Sequence, residues 1–395
     1  MMKAISDIFR ICYNEANTVM RDKGILIFIL FVPLMYPLLY SYVYTNEVVR
    51  NVPAAIVDEC GSNLSREFVR NMDASPDVEI IAKCSDLNEA KELMRSGKIY
   101  GVISIPSSFD SDIQRGDQTH IGLYCDMSSM LYYKALLLTA TNVSLEMNKD
   151  IKVERHIPGT TDAQDLISKT PIEYDYVPLY NPQSGFAAFL IPPVLMLIIQ
   201  QTLLLGIGMS MGDCRERYAG SVIPFNAFYK RPVRIVLGKM LPYFLLYILL
   251  AVYMFVAVNS TFSLPRLGDY FTYITFAATY ILACIFFGMT LSAFVYRRED
   301  CILLFVFMSV PMLFLSGVSW PGASMPEFWK QISYLFPSTF GMNGYVRINS
   351  MGASLSDISF ELKGLMIQTV VYFTAACFFY RKQIIRLAAR FKITR

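Results

Sequence analysis

The chain has 395 residues, 54% of them hydrophobic and only 17% charged, with a formal net charge of +3. Several of its apolar runs are too long for the core of a soluble protein, because about 17–20 apolar residues already cross a bilayer as a helix. The composition therefore indicates a multi-pass membrane protein. Its small positive charge is expected beside anionic lipid and gives no evidence for nucleic-acid binding.

Six transmembrane helices are predicted, at residues 24–44, 184–211, 241–258, 271–295, 301–318 and 364–380. The fifth is short, with 15 residues from Cys301 to Leu315, and needs Ser316–Val318 to complete its crossing. The segments that we assign to the cytosol carry 18 Lys and Arg, against four in the two short external loops. By the positive-inside rule, both termini lie in the cytosol, and residues 381–395 form a basic cytosolic tail.

Residues 1–23 precede the first span and have the spacing of an amphipathic helix. Its apolar positions recur at helical intervals and comprise Ile5, Ile8, Phe9, Cys12, Ala16, Val19 and Met20. The other face is charged or polar, so we expect the helix to lie in the headgroup plane with its apolar face in the membrane. The apolar run that follows is too long for the h-region of a signal peptide.

Residues 45–182 form a predicted extracytoplasmic domain, inserted between the first two spans. Strand patterns at 53–58, 78–83, 100–105 and 120–125 alternate with helical patterns at 63–72 and 87–96, and a longer helix is predicted at 132–149. Ser85–Asp86 is a suitable N-cap for the helix at 87–96. This alternation favours a small α/β sheet packed against helices, with a return linker at 158–182. Whether Cys60 and Cys84 form a disulfide stays open at this point.

The sequence offers no catalytic, metal or nucleotide site. A phosphate-binding loop is absent, and neither of the two histidines, His120 and His156, stands in a catalytic or metal-binding motif. No charged residue lies within the six predicted spans, whereas ion-coupled carriers usually keep one there. We therefore expect the energy for transport to come from a partner.

Two amides, Gln200 and Gln201, lie near the centre of the second predicted span. Paired amides at this depth are costly unless they meet another helix or a wet cavity. They are interpreted either as a hydrogen bond between helices or as part of a substrate path.

The cytosolic segment at 212–240, called here the coupling segment, is the most charged stretch between two spans. Its candidate functional residues are Arg215, Glu216, Arg217, Gly220 and Ser221. Glu216 and Arg217 are expected on a short helix of their own, before Pro224. The segment either presents these groups to a partner or serves only to set the topology.

A second informative stretch, residues 319–347, is predicted to form outer re-entrant helices and is called here the re-entrant segment. Its pieces are too short to span and contain both tryptophans of the chain, which favour the membrane interface. Ser324 and Pro326 are expected to start one helix, Pro337 to end it, and Ser338–Thr339 to cap the next. Phe328, Ile332 and Leu335 share one face of the first helix, and we expect that face to pack against the spans.

These motifs together resemble the type-2 ABC export permeases, in the branch with a large extracytoplasmic domain after the first span. The resemblance is carried by Arg215–Glu216–Arg217 with Gly220–Ser221, by Pro321–Pro326 after Ser316–Gly317, and by Phe336–Thr339. Ala55–Glu59 at the start of the external domain is similar as well. The family's usual Gly-Thr appears here as Gly-Ser, and its commoner Leu-Thr as Ser-Thr.

The resemblance implies a permease subunit that moves a hydrophobic or amphipathic, drug-like or lipid-like substrate out across a bacterial inner membrane. The expected partners are separate ATPase subunits that hold ATP and Mg²⁺, a second permease subunit and, in some systems, a periplasmic adaptor protein; this chain itself would bind no cofactor. It also implies that residues 1–23 form an elbow helix. The outer-gate residues would be Gly317, Trp320, Pro321, Met325, Pro326, Phe328, Leu335 and Pro337. The alternatives are a membrane receptor whose external domain senses a ligand, and an ion-coupled carrier.

Overall fold

The computed structural model describes residues 2–154, 179–182, 184–218, 220–224, 229 and 231–393. These form two compact units, one within residues 48–177 and the other from the chain before and after it. Most of the predicted linker 158–182 lies outside the described residues.

The second unit is a helical bundle. Its helices are α1 (Met2–Arg21), α2 (Lys23–Val43), α7 (Phe186–Arg217), α8 (Pro232–Thr261), α9 (Tyr270–Phe294), α10 (Arg298–Leu315), α11 (Glu327–Ser333), α12 (Pro337–Met351) and α13 (Ser359–Ile393). Among the described residues, α2, α7, α8, α9 and α13 are long and apolar enough to cross a membrane. Helix α10 has 18 residues but begins with Arg298, Glu299 and Asp300, so a sixth span there stays a prediction.

Helix α7 is the centre of the bundle. Of its most apolar stretch, 72% is buried, against 28% in α2 and 17% in α13. Glycines on α7 permit this close packing. A Cβ atom added at Gly206 would meet the side chain of Ile29 on α2, and one at Gly208 would meet that of Cys301 on α10. Small residues of this kind let helix backbones approach closely. Close packing matters inside a bilayer because no hydrophobic driving force brings helices together there.

The first unit is a small α/β fold. Its elements are β1 (Val52–Asp58), α3 (Asn63–Asp73), β2 (Val78–Lys83), α4 (Leu87–Arg95), β3 (Gly101–Ile105), α5 (Phe109–Arg115), β4 (Gly122–Cys125) and α6 (Met130–Glu154). The strand order is β2-β1-β3-β4, with β1 parallel to both neighbours and β4 antiparallel to β3. Both faces of the sheet carry an apolar cluster: Phe68 of α3, Phe109 of α5 and Leu136 of α6 join one, and Ala90 of α4 joins the other.

The four predicted strands and three predicted helices of this unit are confirmed to within a few residues, and α5 was not predicted. Asp86 caps α4 as expected, because its carboxylate accepts the backbone N–H of Glu89 at 2.8 Å. Cys60 and Cys84 are free thiols.

In the bundle, several helices extend beyond the predicted bounds. Helix α8 begins at Pro232 rather than at residue 241, because proline is well suited to the first turn. Helix α13 begins at Ser359 and continues without a break into the predicted tail, as far as Ile393.

Gly238 provides a test of the contact between α1 and α8. A Cβ atom there would lie 2.7 Å from the side chain of Ile11 and 3.0 Å from the carbonyl oxygen of Ile8. We expect Gly238→Ala to lower the unfolding temperature of the purified protein, although alanine favours helix, because overpacking costs about 1–3 kcal/mol. Gly322→Ala is the control, since no atom lies within 4 Å of its added Cβ. Equal unfolding temperatures for the two variants would contradict this packing.

Candidate functional site

The coupling segment begins as a continuation of α7. Residues Arg215, Glu216 and Arg217 form the last turn of that helix, so the short separate helix expected from sequence is absent from the described residues. Gly220 follows in the left-handed region at φ +88° and donates its N–H to the carbonyl of Arg215 at 2.7 Å. A glycine is favoured here because a positive φ strains residues that have a side chain. The space around Gly220 is open.

Arg215 is buried and faces inward. Its guanidinium donates to the carbonyl of Ala293 at 2.8 Å and to that of Val295, and it lies 4.9 Å from the ring centre of Tyr296. These bonds join the end of α7 to the end of α9. Arg215 is therefore not a surface group available to a docking partner, contrary to the grouping expected from sequence.

Glu216, Arg217 and Gly220 are exposed. Arg217 pairs with Asp213 at 2.9 Å within α7, and Glu216 accepts the first backbone N–H of α10, from Arg298, at 3.3 Å. Ser221 is buried, and its hydroxyl donates to the carbonyl of Ile223 at 3.0 Å. The five predicted residues thus divide into an exposed group of three and an internal pair, Arg215 and Ser221.

Helix α1 places an acidic row against the bundle. Asp7 pairs with Arg234 of α8 at 2.6 Å, Glu15 with Lys239 of α8 at 2.7 Å, and Asp22, just beyond α1, with Arg298 of α10. Three residues of the apolar face that was expected to enter the membrane, Ile5, Phe9 and Met20, are exposed on the surface of the bundle. Sequence reasoning missed this arrangement, although the spacing 7, 15 and 22 places the three carboxylates on one helical face.

Glu15 and Lys239 form a buried network. Their side chains are 4% and 1% exposed, and the Glu15 carboxylate also accepts hydrogen bonds from Ser210 of α7 at 2.8 Å and Tyr243 of α8 at 2.9 Å. One carboxylate therefore joins α1, α7 and α8. A polar cavity of about 230 Å³ adjoins the pair and extends to Arg217 and Tyr218 of the coupling segment.

Lys239 changes one inference from the sequence. The absence of charges from the predicted third span depended on its start at residue 241, whereas the observed candidate span α8 includes both Arg234 and Lys239. Uncharged spans therefore no longer argue against an ion-coupled carrier. The energy source has to be inferred from other observations.

Asp22 caps α2 through the backbone N–H groups of Gly24, at 2.9 Å, and Ile25, at 3.2 Å. Burial opposes its ionisation, but these bonds and the Arg298 guanidinium together hold the pKa of the Asp22 carboxyl below its ordinary value. Asp22 thus stays charged at neutral pH, and its contribution to stability is lost only as the pH falls through that lowered pKa.

The two mid-helix amides have different surroundings. Gln200 is fully buried; its amide donates to the Met312 sulfur at 3.0 Å, and its oxygen accepts the thiol of Cys284 at 3.8 Å. Gln201 also donates to the Met312 sulfur, at 3.3 Å, but its oxygen has no hydrogen-bond partner among the described residues. Gln200 therefore provides hydrogen bonds between helices with both its amide and its oxygen. The oxygen of Gln201 accepts no hydrogen bond from the described residues.

Gln201 lines a groove of about 340 Å³ between α2, α7 and α10, called here the transport groove. Its wall is largely apolar, with a few hydroxyl groups among carbon atoms. The lining residues are Phe28, Val32, Tyr36, Tyr40, Val194, Leu197, Ile198, Gln201, Thr202, Leu205, Val306, Ser309, Val310 and Leu313. A largely apolar cleft with a few directed polar groups is the usual form of a small-molecule site.

The re-entrant segment has two helices, but not with the predicted caps. Pro326 rather than Ser324 is the N-cap of α11, and Phe336 rather than Ser338–Thr339 is that of α12, in which Pro337 occupies the first turn. Gly317, at φ +84°, turns the chain after α10. Trp320, Pro321 and Pro326 are exposed, Met325 is half-buried and Pro337 is buried.

The predicted packing of Phe328 and Leu335 is wrong. Both side chains are exposed, and the Phe328 ring contacts Trp329, at 5.5 Å between centroids. The chain just after α11 is held instead through its backbone: Gln368 of α13 donates to the carbonyl of Tyr334 at 2.8 Å, and Tyr372 donates to that of Leu335. Helix α11 has seven residues and ends at Ser333. Leu335 lies beyond its end and therefore does not share a helical face with Phe328.

Comparison with known proteins identifies the family of this chain. The family model described as "ABC-2 family transporter protein" matches residues 23–378. The chain belongs to the ABC-2 transporter family. It is a multi-pass membrane protein of the type-2 ABC permease kind.

Individual relatives agree with this assignment. "ABC transporter G family member 20" of Dictyostelium discoideum is 23% identical over 351 residues, covering 85% of this chain and 45% of that protein. "Probable multidrug ABC transporter permease YbhS" of Escherichia coli K12 is 21% identical over 340 residues, covering 84% and 85%. "Linearmycin resistance permease protein LnrN" of Bacillus subtilis is 21% identical over 354 residues, covering 82% and 86%. The chain thus spans less than half of the first relative and most of the other two.

The Glu15–Lys239 pair is expected to dominate the stability of the α1–α8 contact. Lys239→Met leaves a buried carboxylate unpaired, which costs about 3–5 kcal/mol, whereas Glu327→Gln removes an exposed pair worth about 0–1 kcal/mol. The double variant Glu15→Gln/Lys239→Met should recover part of the loss. Thermal unfolding of the purified protein measures all three, and a Lys239→Met protein as stable as Glu327→Gln would contradict this role.

Proposed function

We propose that the chain is the permease subunit of an ATP-driven exporter that moves a hydrophobic or amphipathic, drug-like or lipid-like substrate outward across a bacterial plasma membrane. The observation that carries this proposal is the transport groove, whose largely apolar wall includes Gln201, a residue with a buried oxygen that has no hydrogen-bond partner among the described residues. The printed names of two relatives, one a multidrug permease and one a linearmycin resistance permease, support this substrate class.

The proposed assembly has two permease subunits, identical or different, each bound to an ABC ATPase that holds ATP and Mg²⁺. A second permease subunit beside the transport groove would convert it into an enclosed path. In this arrangement both termini and the coupling segment are cytosolic, and residues 45–182 form an extracytoplasmic domain that an adaptor protein could contact. The charge asymmetry of the connecting segments supports that orientation.

Coupling in this proposal starts at the exposed residues Glu216, Arg217 and Gly220. A push on them would act directly on two walls of the transport groove, α7 and α10. Glu216 and Arg217 end α7, and Glu216 accepts the first N–H of α10. The third wall, α2, is joined to the same place through Asp22, whose partner Arg298 is the first residue of α10. The contacts at this end of the bundle thus connect all three walls to the proposed docking surface.

The groove is tested by a matched pair of amides. Gln201→Leu should reduce or alter export at a smaller cost in stability than Gln200→Leu, because its oxygen has no partner to lose and only the bond from its amide to the Met312 sulfur is removed. Gln200→Leu should cost about 1 kcal/mol of stability, because it removes hydrogen bonds in the helix interface. Substrate efflux from proteoliposomes and thermal unfolding are measured on the same complex. Unchanged efflux by Gln201→Leu with several substrates of this class would argue against the groove as the path.

The coupling residues are tested by charge reversal. Glu216→Lys/Arg217→Glu should leave the permease folded but lower transport per ATP hydrolysed, since misplaced interface charges can cost several kcal/mol. Arg215→Gln, by contrast, should lower stability, because that guanidinium binds two carbonyls inside the bundle. If the double reversal transports with unchanged coupling and still co-purifies with the ATPase, the segment serves topology alone.

A further inference from the structure

A second groove lies on another side of the bundle, between α8 and α9, and is called here the lateral groove. Its volume is about 260 Å³, and it is lined by Ile248, Ala251, Val252, Phe255, Val256, Arg266, Tyr270, Tyr273, Ile274 and Ala277. Small buried residues, Ala251 and Ala277, form its floor, and exposed apolar side chains form its rim.

The wall of the lateral groove presents carbon atoms almost throughout. Tyr273 contributes its ring, while its hydroxyl donates to Asn349 at 3.0 Å inside the bundle. Phe255 stacks on Tyr345 behind the wall, at 4.4 Å between centroids. The groove therefore offers no hydrogen bond along its length, unlike the transport groove with Gln201, Thr202 and Ser309. Such a surface suits a hydrocarbon chain.

One end of the lateral groove carries a cation. Arg266 lies in the connection between α8 and α9; it donates to the hydroxyl of Tyr270 at 2.7 Å, and its guanidinium lies 5.0 Å from that ring centre. Among the described residues, the contacts of the Arg266 guanidinium are with Tyr270 and not with a carboxylate. The neighbouring Asp269 instead caps α9 by accepting the N–H of Phe271 at 3.0 Å. The guanidinium thus keeps donors free in a geometry that matches a phosphate.

We propose that the lateral groove is a phospholipid site, in which Arg266 binds the phosphate and the Ala251–Ala277 floor receives one acyl chain. The cation, with an interfacial aromatic ring beside it, matches the phosphate headgroup of a phospholipid. The carbon-lined groove that leads away from them matches its acyl chain. The lipid would be a resident ligand of the bundle, separate from the transported substrate.

Lipid retention tests the proposal. The permease–ATPase complex is purified in mild detergent, and the phospholipids that stay bound are counted by native mass spectrometry. Arg266→Gln should lose a bound phospholipid, whereas Lys363→Gln, which removes the same charge from an exposed position outside the groove, should keep it. Equal retention by wild type and Arg266→Gln, or equal loss by both variants, would overturn the proposal.

A second pair of variants tests the acyl groove. Val252→Trp places an indole at the rim and should displace the lipid, whereas Leu249→Trp, also exposed on α8 but outside the lining, should not. Unfolding temperatures with phosphatidylglycerol and with inorganic phosphate separate the two sources of phosphate. Stabilisation that requires Arg266 should appear with the lipid alone; equal stabilisation by inorganic phosphate would reduce the site to an anion site and overturn the lipid proposal.

Discussion

The buried ion pair between Glu15 and Lys239 is the contact on which one end of the bundle depends. Two charges removed from water are tolerated only when further hydrogen bonds satisfy them, and Ser210 and Tyr243 supply these to the carboxylate. Because the partners belong to α1, α7 and α8, the pair fixes where three helices meet beside the coupling segment. An elbow helix held by apolar contacts alone could slide along the bundle. One held by a buried charge has a single register.

The same end of the bundle is close-packed through α7. A Cβ atom at Gly212 would lie 3.0 Å from the backbone nitrogen of Arg298, so α7 and the start of α10 touch at main-chain distance. A displacement of the exposed turn at Glu216 and Arg217 therefore cannot be absorbed by soft side chains between the two helices. It moves α10 or it breaks the contact, since packed interiors transmit strain.

Local signals in the sequence predicted most of the fold. Strand β2 and the Asp86 cap of α4 are where the alternation and the capping residue indicate, because both depend on neighbours along the chain. The site was predicted less well, since its groups face partners distant in sequence. Arg215 looks like a surface charge until the carbonyl of Ala293 is seen beside it, and Leu335 looks like a neighbour of Phe328 on one helical face until α11 proves to end at Ser333. The acidic row of α1 was legible as a spacing, but its basic partners were not.

The two grooves differ in where a polar group lies along an apolar wall. Lipid chains solvate apolar walls as well as protein does, so an apolar groove alone specifies nothing. A polar group changes this, because a buried acceptor without a partner costs free energy that an incoming donor recovers. Under the proposed function, Gln201 provides such a buried acceptor beside the path that a substrate would take through the transport groove. Arg266 places a charge at one end of the lateral groove, where a headgroup can be held while its chain stays in the membrane. If both proposals hold, the position of the polar group along an apolar wall, more than the size of the cavity, decides whether a molecule passes through a groove or stays bound in it.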